Sequence, residues 1–179
     1  MEHLPVYIGA GALDALRSFC QDRGLRDLVL VSDRNTQAAL GDAVEAALRS
    51  DGCDVLRAPL SGDEIGADAR SVFQVLLALD RKERTFLSVG SGTVTDVTRI
   101  VSHRTRSDFI SVPTAPSVDG YTSIGAPLVV DGFKITVLAQ APIGVFADLP
   151  ALCAAPRLMI AAGFGDLVAK VTSSADWEL

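Results

Sequence analysis

Short apolar segments alternate with amphipathic helical segments along residues 1–112, and this alternation constrains the fold more than any other feature. The clearest apolar segment is 28–31, which no polar residue interrupts, as is typical of a parallel strand covered by helices on both faces. The pattern predicts strands at 6–9, 28–31, 53–59, 85–89 and 109–112, and helices at 12–21, 36–50 and 67–80. We therefore expect an α/β fold with a Rossmann-like, mostly parallel sheet and flanking helices.

The chain changes character after Pro113. A polar loop at 114–120 precedes two apolar runs, 126–130 and 133–139, which flank Asp131-Gly132, a strong hairpin signal. One more strand is predicted at 145–148. The last part has helical spacing at 157–162 and 166–176, and the glycines of Gly163-Phe164-Gly165 predict a break between two helices.

A glycine turn, Gly90-Ser91-Gly92, follows the strand predicted at 85–89 and precedes a helical run that ends near Val101. Glycines let a backbone approach an anion closely, and the free N–H groups of a following helix point at it. The third glycine of the dinucleotide fingerprint is absent, so a plain strand-to-helix turn is the alternative. Because ligands of parallel sheets bind beyond the carboxyl ends of the strands, we expect Asp33, this turn and Pro113-Thr114 to meet there.

Charge and composition argue against several function classes. The net charge is −6 and the pI is near 4.8, so no basic face dominates that would bind nucleic acid non-specifically. No uninterrupted apolar run reaches the ~18 residues that a membrane span needs, and the first residues lack the pattern of a signal peptide. The three widely spaced cysteines indicate reduced thiols. We therefore expect a cytoplasmic protein with no nucleic-acid or membrane partner.

Five sequence blocks resemble the sn-glycerol-1-phosphate dehydrogenase family, within the superfamily of glycerol dehydrogenases, iron-type alcohol dehydrogenases and dehydroquinate synthases. The blocks are SVGSGTVTD at 88–96, VPTAPSVDGYTS at 112–123, DGFKIT at 131–136, FADL at 146–149 and APRLMIAAGFGDLVAK at 155–170. The resemblance implies a reversible, NAD(P)-dependent and metal-dependent reduction of dihydroxyacetone phosphate to sn-glycerol 1-phosphate. The implied metal is zinc (Zn2+), with nickel (Ni2+) as the alternative.

The same resemblance implies two domains. They are a nucleotide-binding α/β domain at 1–150 and the start of an all-helical metal-binding domain at 151–179, with a small phosphorylated triose bound in the cleft between them. A homo-oligomer is left open. The family takes two histidine metal ligands from the segment after Asp166, where this chain has no histidine. We therefore expect a helical domain that is cut at its apolar ending, 177–179, and a chain that is inactive by itself although its longer parent is active.

The residues that the resemblance assigns to the nucleotide lie in three segments. They are Gly90, Ser91, Gly92, Thr93, Val94, Thr95 and Asp96 in the glycine turn, Thr114, Ala115, Pro116 and Ser117 in the loop after the next strand, and Ser123. The alternatives are local: Thr93 and Thr95 can cap the helix, Asp96 can stabilise its dipole, and loop hydroxyls often bond to nearby backbone. Asp33 closes a strand, where an acid can accept hydrogen bonds from ribose and favour NAD, whereas Arg34 would favour NADP.

Asp119 and Asp166 are the catalytic candidates by resemblance. Asp119 resembles the acid that accepts hydrogen bonds from substrate hydroxyls, with an Asp-Gly turn as the alternative. Asp166 resembles the first metal ligand and a substrate contact, with a helix N-cap as the alternative. Lys134 is equally compatible with a contact to the substrate phosphate and with a solvated hairpin lysine. Lys170 is interpreted as a surface or ion-paired lysine.

Two rival functions remain. One is another enzyme of the superfamily, a glycerol dehydrogenase or a dehydroquinate synthase-like enzyme, although blocks 112–123 and 155–170 favour the branch with a phosphorylated substrate. Turnover of glycerol against dihydroxyacetone phosphate by the longer parent distinguishes these enzymes. The other is a non-catalytic nucleotide-binding fragment, which would bind NADH without enhancement by zinc.

Overall fold

Six parallel strands form the central sheet of the protein, which a computed structural model describes over residues 3–177. They are β1 Val6–Gly9, β2 Asp27–Asp33, β3 Asp54–Leu60, β4 Thr85–Gly90, β5 Phe109–Pro113 and β8 Gly144–Asp148, in the order β1-β8-β5-β4-β2-β3. Strands β6 Gly125–Val130 and β7 Phe133–Leu138 form the predicted antiparallel hairpin. Sequence interpretations that concern residues 1, 2, 178 and 179 lie outside the described residues.

Helices connect the strands of the sheet and cover both of its faces. The α-helices are α1 Ala12–Asp22, α2 Arg34–Thr36, α3 Asp42–Ser50, α4 Ala69–Ala78, α5 Gly92–Arg104, α6 Leu149–Ala154 and α7 Arg157–Trp177. A π-helical turn, Gln37–Gly41, joins α2 to α3, and a 3₁₀ turn, Gly120–Thr122, lies in the loop after β5. The predicted α/β fold with a parallel sheet and flanking helices is confirmed.

Strand β2 shows why its sequence is continuously apolar. Leu28 and Leu30 are fully buried on one face of the sheet, in a cluster with α1 and α3. Val29 and Val31 are fully buried on the opposite face, in a cluster with α4 and α5. Because successive strand residues point to opposite faces, a strand covered on both sides favours apolar residues on both of its faces.

The strand order reverses between β2 and β4, and this reversal sets where a ligand can bind. From β2 the chain moves outward to β3 and then crosses back to β4, on the other side of β2. Val31 pairs with Ser88, so β2 and β4 end side by side at Asp33 and Gly90, and Gly90 in turn pairs with Pro113. Parallel sheets bind ligands at such a reversal, beyond the carboxyl ends of the strands. The predicted meeting of Asp33, the glycine turn and Pro113 is confirmed.

The helix predicted at 36–50 begins two residues earlier, at Arg34. Asp33 caps it, because its carboxylate accepts hydrogen bonds from the N–H groups of Asn35 at 2.7 Å and Thr36 at 2.9 Å. The Thr36 hydroxyl accepts a hydrogen bond from the Asp33 N–H at 2.9 Å, which completes a reciprocal capping box. Helix α2 therefore begins before the apolar residues on which the predicted start at residue 36 was based.

The predicted break at Gly163-Phe164-Gly165 is wrong, because α7 runs through it as one helix. Gly163 is buried against the backbone of Pro116, where an added Cβ would lie 1.7 Å from the carbonyl oxygen. Packing therefore requires this glycine, and the helix absorbs the cost of about 1 kcal/mol for a glycine inside it. The N-cap alternative for Asp166 is wrong for the same reason, since Asp166 lies inside the helix.

Helix α7 is more apolar as a whole than its uninterrupted runs indicate. The segment Arg157–Asp176 is long and apolar enough to cross a membrane, with a mean hydropathy of 1.2 over an 18-residue window. Asp166 and Lys170 interrupt its apolar residues, so the segment contains no uninterrupted apolar run of that length. Length and composition alone do not identify a membrane span, because core helices of other proteins meet the same criterion. The expected absence of a membrane partner stays a prediction.

Candidate functional site

The turn between β4 and α5 leaves the start of a helix open to a ligand. Ser91 holds the N-cap position, and its side chain makes no capping hydrogen bond. The N–H groups in the first turn of a helix have no partner within the helix, and they carry the positive end of its dipole. At a reversal of strand order, this arrangement is suited to hold a phosphate group.

The two glycines of this turn have different surroundings. A Cβ on Gly90 would lie 2.5 Å from the Cβ of Val94, so only a glycine lets α5 pack this closely on β4. A Cβ on Gly92 would lie 3.4 Å from the side chain of Val118, which is close to an ordinary contact. Packing therefore requires a glycine at residue 90 and does not require one at residue 92.

The threonines of the turn do not cap the helix, as had been an alternative for Thr93 and Thr95. Thr95 is buried, and its hydroxyl lies 3.1 Å from the Ser88 hydroxyl, to which it is hydrogen-bonded. Val94 is buried beneath the turn. Thr93 is half-buried and borders a cavity, and Thr95, although buried, borders a second one.

The loop 114–117 runs beside the glycine turn. The Thr114 N–H donates a hydrogen bond to the Gly90 carbonyl at 3.2 Å, and both Thr114 and Ala115 are buried. The Ala115 carbonyl accepts a hydrogen bond from the Tyr121 hydroxyl. Ser117 is half-buried and faces the same cavity as Thr93. Backbone contacts thus hold the loop in place. Ser117 is the residue of this loop that borders the cavity beside the glycine turn.

Two adjacent cavities open beside the glycine turn. The small cavity has a volume of about 290 Å³, and the predicted site residues in its lining are Gly92, Thr95, Asp96, Asp119, Ser123, Lys134 and Asp166. The large cavity has a volume of about 610 Å³, and those in its lining are Ser91, Gly92, Thr93, Asp96, Ser117 and Lys134. Five of the thirteen residues predicted to contact the nucleotide border the large cavity, and all three residues predicted to contact substrate or metal border the small one.

A buried ion pair borders the small cavity. Arg99 is 1% exposed, and its Nη1 atom donates a hydrogen bond to Asp96 Oδ1 at 2.7 Å. The same guanidinium donates hydrogen bonds to the carbonyl of Gly120 at 2.7 Å and to that of Gly125 at 2.8 Å. Arg99 therefore ties α5 to both ends of the segment 120–125, which follows Asp119.

Burial disfavours both charges of this pair. It raises the pKa of Asp96 to about 6, although the charges of Arg99 and Lys134 oppose the shift. It also lowers the pKa of Arg99, and Asp96 opposes that shift. Within the described residues, Arg99 Nε is buried without a hydrogen-bond partner. Each group is thus kept charged by the other, so removing one would leave an uncompensated charge inside the protein.

Helix α7 brings Asp166 to the loop that carries Asp119. Asp166 Oδ2 accepts a hydrogen bond from the Asp119 N–H at 2.9 Å. Lys170 Nζ lies 3.1 Å from Asp119 Oδ2 and 3.8 Å from Asp166 Oδ1, so the prediction of an ion-paired lysine is confirmed. The hydrogen bond from Asp119 and the charge of Lys170 hold the pKa of Asp166 below its ordinary value. The two predicted catalytic acids therefore meet and share one cation.

The described residues do not form a complete metal site. No group of three or more histidine, cysteine, aspartate or glutamate side chains that could hold a metal lies within residues 3–177. Catalytic zinc sites use about three protein ligands, whereas here two carboxylates meet beside an ammonium group. Asp166 fits as one ligand of a larger set and cannot hold a metal tightly by itself.

The remaining predicted residues take part in local structure. Asp33 is half-buried at the end of β2, and both of its capping hydrogen bonds use Oδ1. The Ser123 hydroxyl accepts a hydrogen bond from the Gly125 N–H at 2.9 Å. Lys134 is exposed on β7 and borders both cavities, which is compatible with a contact to the substrate phosphate and with a solvated hairpin lysine. None of these contacts prevents the side chain from also binding a ligand.

Arg99 was not among the residues predicted to belong to the site. Asp96 and Arg99 are three residues apart on α5, and this spacing puts two side chains on the same face of a helix. That spacing was the available signal for the ion pair. The contacts to Gly120 and Gly125 had no signal, because every residue carries a backbone carbonyl.

Comparison with known proteins places the chain in a family. The family model of iron-containing alcohol dehydrogenases matches residues 7–156. The glycerol-1-phosphate dehydrogenase (NAD(P)+) of Geobacillus thermodenitrificans is 44% identical over 176 residues, which are 97% of this chain and 44% of that protein. The enzyme of the same name from Bacillus subtilis is 41% identical over 97% of this chain and 45% of its own length. The chain thus spans less than half the length of these relatives.

A solved structure agrees with this relationship at the level of the fold. The glycerol dehydrogenase of Schizosaccharomyces pombe has a TM-score of 0.82 at 18% identity, over 93% of this chain and 42% of that one. The family match covers most of the chain, and the resemblance seen in the five sequence blocks is confirmed. The chain belongs to the iron-containing alcohol dehydrogenase family.

Proposed function

We propose that the chain supplies the nucleotide-binding part of an NAD(P)-dependent dehydrogenase that reversibly reduces dihydroxyacetone phosphate to sn-glycerol 1-phosphate. The observation that carries the proposal is the uncapped start of α5 at the reversal of strand order, beside cavities that also reach Asp119 and Asp166. The names of the relatives at 44% and 41% identity support the substrate and the coenzyme class.

In this proposal the unit at 1–150 binds the nucleotide and 151–179 begins the helical domain. The coenzyme pyrophosphate lies at the start of α5, against the N–H groups of Gly92 and Thr93. The adenosine ribose extends toward Asp33, because β2 ends next to β4. Asp33 would favour NAD, since a carboxylate accepts hydrogen bonds from a ribose 2′-hydroxyl and repels a 2′-phosphate.

The phosphorylated triose fits the small cavity. Asp119 would accept hydrogen bonds from its hydroxyl groups, and Lys134 at the opening would neutralise its phosphate. Asp166 is proposed as one ligand of a metal, zinc or alternatively nickel, in a site that the described residues leave incomplete. A cytoplasmic location is proposed as well, and the free thiols of Cys20, Cys53 and Cys153 support it.

Calorimetric titration of the chain with NADH, with and without zinc, tests the proposal. We expect saturable binding that zinc changes little, because the metal ligand set is incomplete. We also expect no turnover of dihydroxyacetone phosphate by the chain alone. If neither NADH nor NADPH binds, the proposal of a nucleotide site is contradicted. Zinc-dependent turnover would contradict the proposal that the metal site is incomplete.

Asp33→Asn separates the helix cap from coenzyme selection. Asparagine caps a helix as well as aspartate does, so stability should change little. Loss of the negative charge should raise the affinity for NADPH relative to NADH by about tenfold, which corresponds to roughly 1.4 kcal/mol of removed repulsion. Asp22→Asn, at the exposed end of α1, is the matched control and should leave the ratio unchanged. Equal ratios in the two variants would exclude Asp33 from the ribose site.

A further inference from the structure

Helix α7 packs against the rest of the protein at a glycine. Among residues 157–176, Gly163 is the only buried residue. A Cβ built on it would lie 1.7 Å from the Pro116 carbonyl oxygen and 2.8 Å from the carbonyl carbon. The backbone of the helix therefore touches the backbone of the loop directly, with no side chain between them.

This contact lies beside the one between the two acids. Gly163 and Asp166 are three residues apart and so share one face of α7. Pro116 and Asp119 are likewise three residues apart in the loop, and the Asp119 N–H donates to Asp166 Oδ2 at 2.9 Å. Real Cβ contacts are essentially never shorter than 3.0 Å, so a side chain at residue 163 would push α7 more than 1 Å away. The donor–acceptor distance would then exceed the ~3.2 Å limit of a hydrogen bond.

We propose that Gly163 is a positioning residue, which acts through the α7 backbone to hold Asp166 against Asp119. The effect of Gly163 on catalysis rests on the proposed function, whereas its effect on the contact between Asp166 and Asp119 does not. Gly165 lies two residues further along the same helix, and a Cβ there would meet nothing within 4 Å. The two glycines therefore differ in packing and share the same helical backbone, which makes Gly165 a matched control.

The test compares Gly163→Ala, Gly165→Ala and Asp166→Ala in the 179-residue chain by nuclear magnetic resonance of backbone amides. In Gly163→Ala, the Asp119 amide resonance should move to its position in Asp166→Ala, where the acceptor is absent. Its hydrogen exchange should become about tenfold faster, as expected for losing a hydrogen bond to a charged acceptor. In Gly165→Ala, the resonance and its exchange rate should match those of the wild type.

The amides of β4 report whether each variant is folded, and they should be unchanged in all three. A wild-type Asp119 resonance in Gly163→Ala would overturn the proposal. So would an equal change in Gly165→Ala, or a loss of the β4 signals, because the effect would then not be local to the contact. NADH titration of the same samples is a separate readout: absent binding by the wild type contradicts the proposed function and leaves the result for Gly163 unaffected.

Discussion

Replacing Arg99 with methionine is expected to lower the free energy of unfolding by about 3–5 kcal/mol, the range for breaking a buried ion pair. Methionine fills the space of the arginine stem but leaves Asp96 and the carbonyls of Gly120 and Gly125 without their donor. Native proteins are stable by roughly 5–15 kcal/mol, so we expect the variant to fold with a lower Tm. Urea unfolding followed by circular dichroism measures the change.

The loss should grow with pH because Asp96 titrates. Burial raises its pKa to about 6 in the folded protein, from an ordinary value of 3.8, and Arg99 opposes a larger rise. A carboxyl with a raised folded-state pKa stabilises the fold fully below its unfolded pKa, and this contribution is lost as pH rises through the folded pKa. Without Arg99 the folded pKa rises further, so the variant should continue to lose stability as the pH rises above about 6, where the wild type has already lost this contribution.

Arg104→Met is the matched control for this prediction. Arg104 lies on the same helix, in its last turn, and is exposed. Its loss should cost no more than about 1 kcal/mol, the value of a cation near a helix C-terminus, with no added pH dependence. The loss of stability in Arg99→Lys should lie between those in Arg99→Met and Arg104→Met, because one ammonium group cannot reach all three acceptors. Equal losses for Arg99→Met and Arg104→Met would contradict the role assigned to Arg99.

The sheet could be predicted because burial on both faces acts on every residue of a strand. That preference is visible locally in the continuously apolar segment 28–31, and it indicated a parallel sheet covered on both faces. The pairing of β1 with β8 could not be predicted, because Val6 and Val145 are far apart in the sequence and their contact leaves no periodic pattern. Strand order is therefore a long-range property, although the ends of β2, β4 and β5 were expected to meet.

The predicted break in α7 shows where local preference fails. Gly163 and Gly165 weaken a helix taken by itself, so the sequence indicated two helices. The contact with Pro116 leaves no space for a Cβ, and packing therefore decides the residue and the helix continues. Because the helix is continuous, Asp166 lies inside it and does not cap it. Its side chain accepts a hydrogen bond from the Asp119 N–H instead.

The glycine turn of the candidate site could be predicted from the sequence, whereas the small cavity could not. The glycine turn has a position-specific chemistry, strand then glycines then helix, that can be read without knowing what surrounds it. The small cavity depends on Arg99 reaching the carbonyls of Gly120 and Gly125. Backbone acceptors have no sequence signature, so the side chain that holds this cavity together emerged only from the structure.

Gly90→Ala should destabilise the protein by about 3 kcal/mol, at the upper end of the usual cost of overpacking. The added Cβ would lie 2.5 Å from both Cβ and Cγ2 of Val94, which is 1% exposed. A valine in a helix strongly prefers one rotamer, so it cannot turn away, and α5 must move off β4 instead. That movement displaces the helix start, so NADH affinity should fall together with Tm.

Gly92→Ala is expected to separate these two effects. Its Cβ would lie 3.4 Å from Val118, so stability should stay within about 1 kcal/mol of the wild type, where helix propensity favours alanine over glycine. The methyl group would nevertheless occupy space in front of the first N–H groups of α5, and NADH affinity should fall by about tenfold or more. Calorimetry and thermal unfolding of both variants measure the contrast. Wild-type NADH affinity in Gly92→Ala would contradict phosphate binding at this turn, because the added methyl group would then not obstruct the coenzyme.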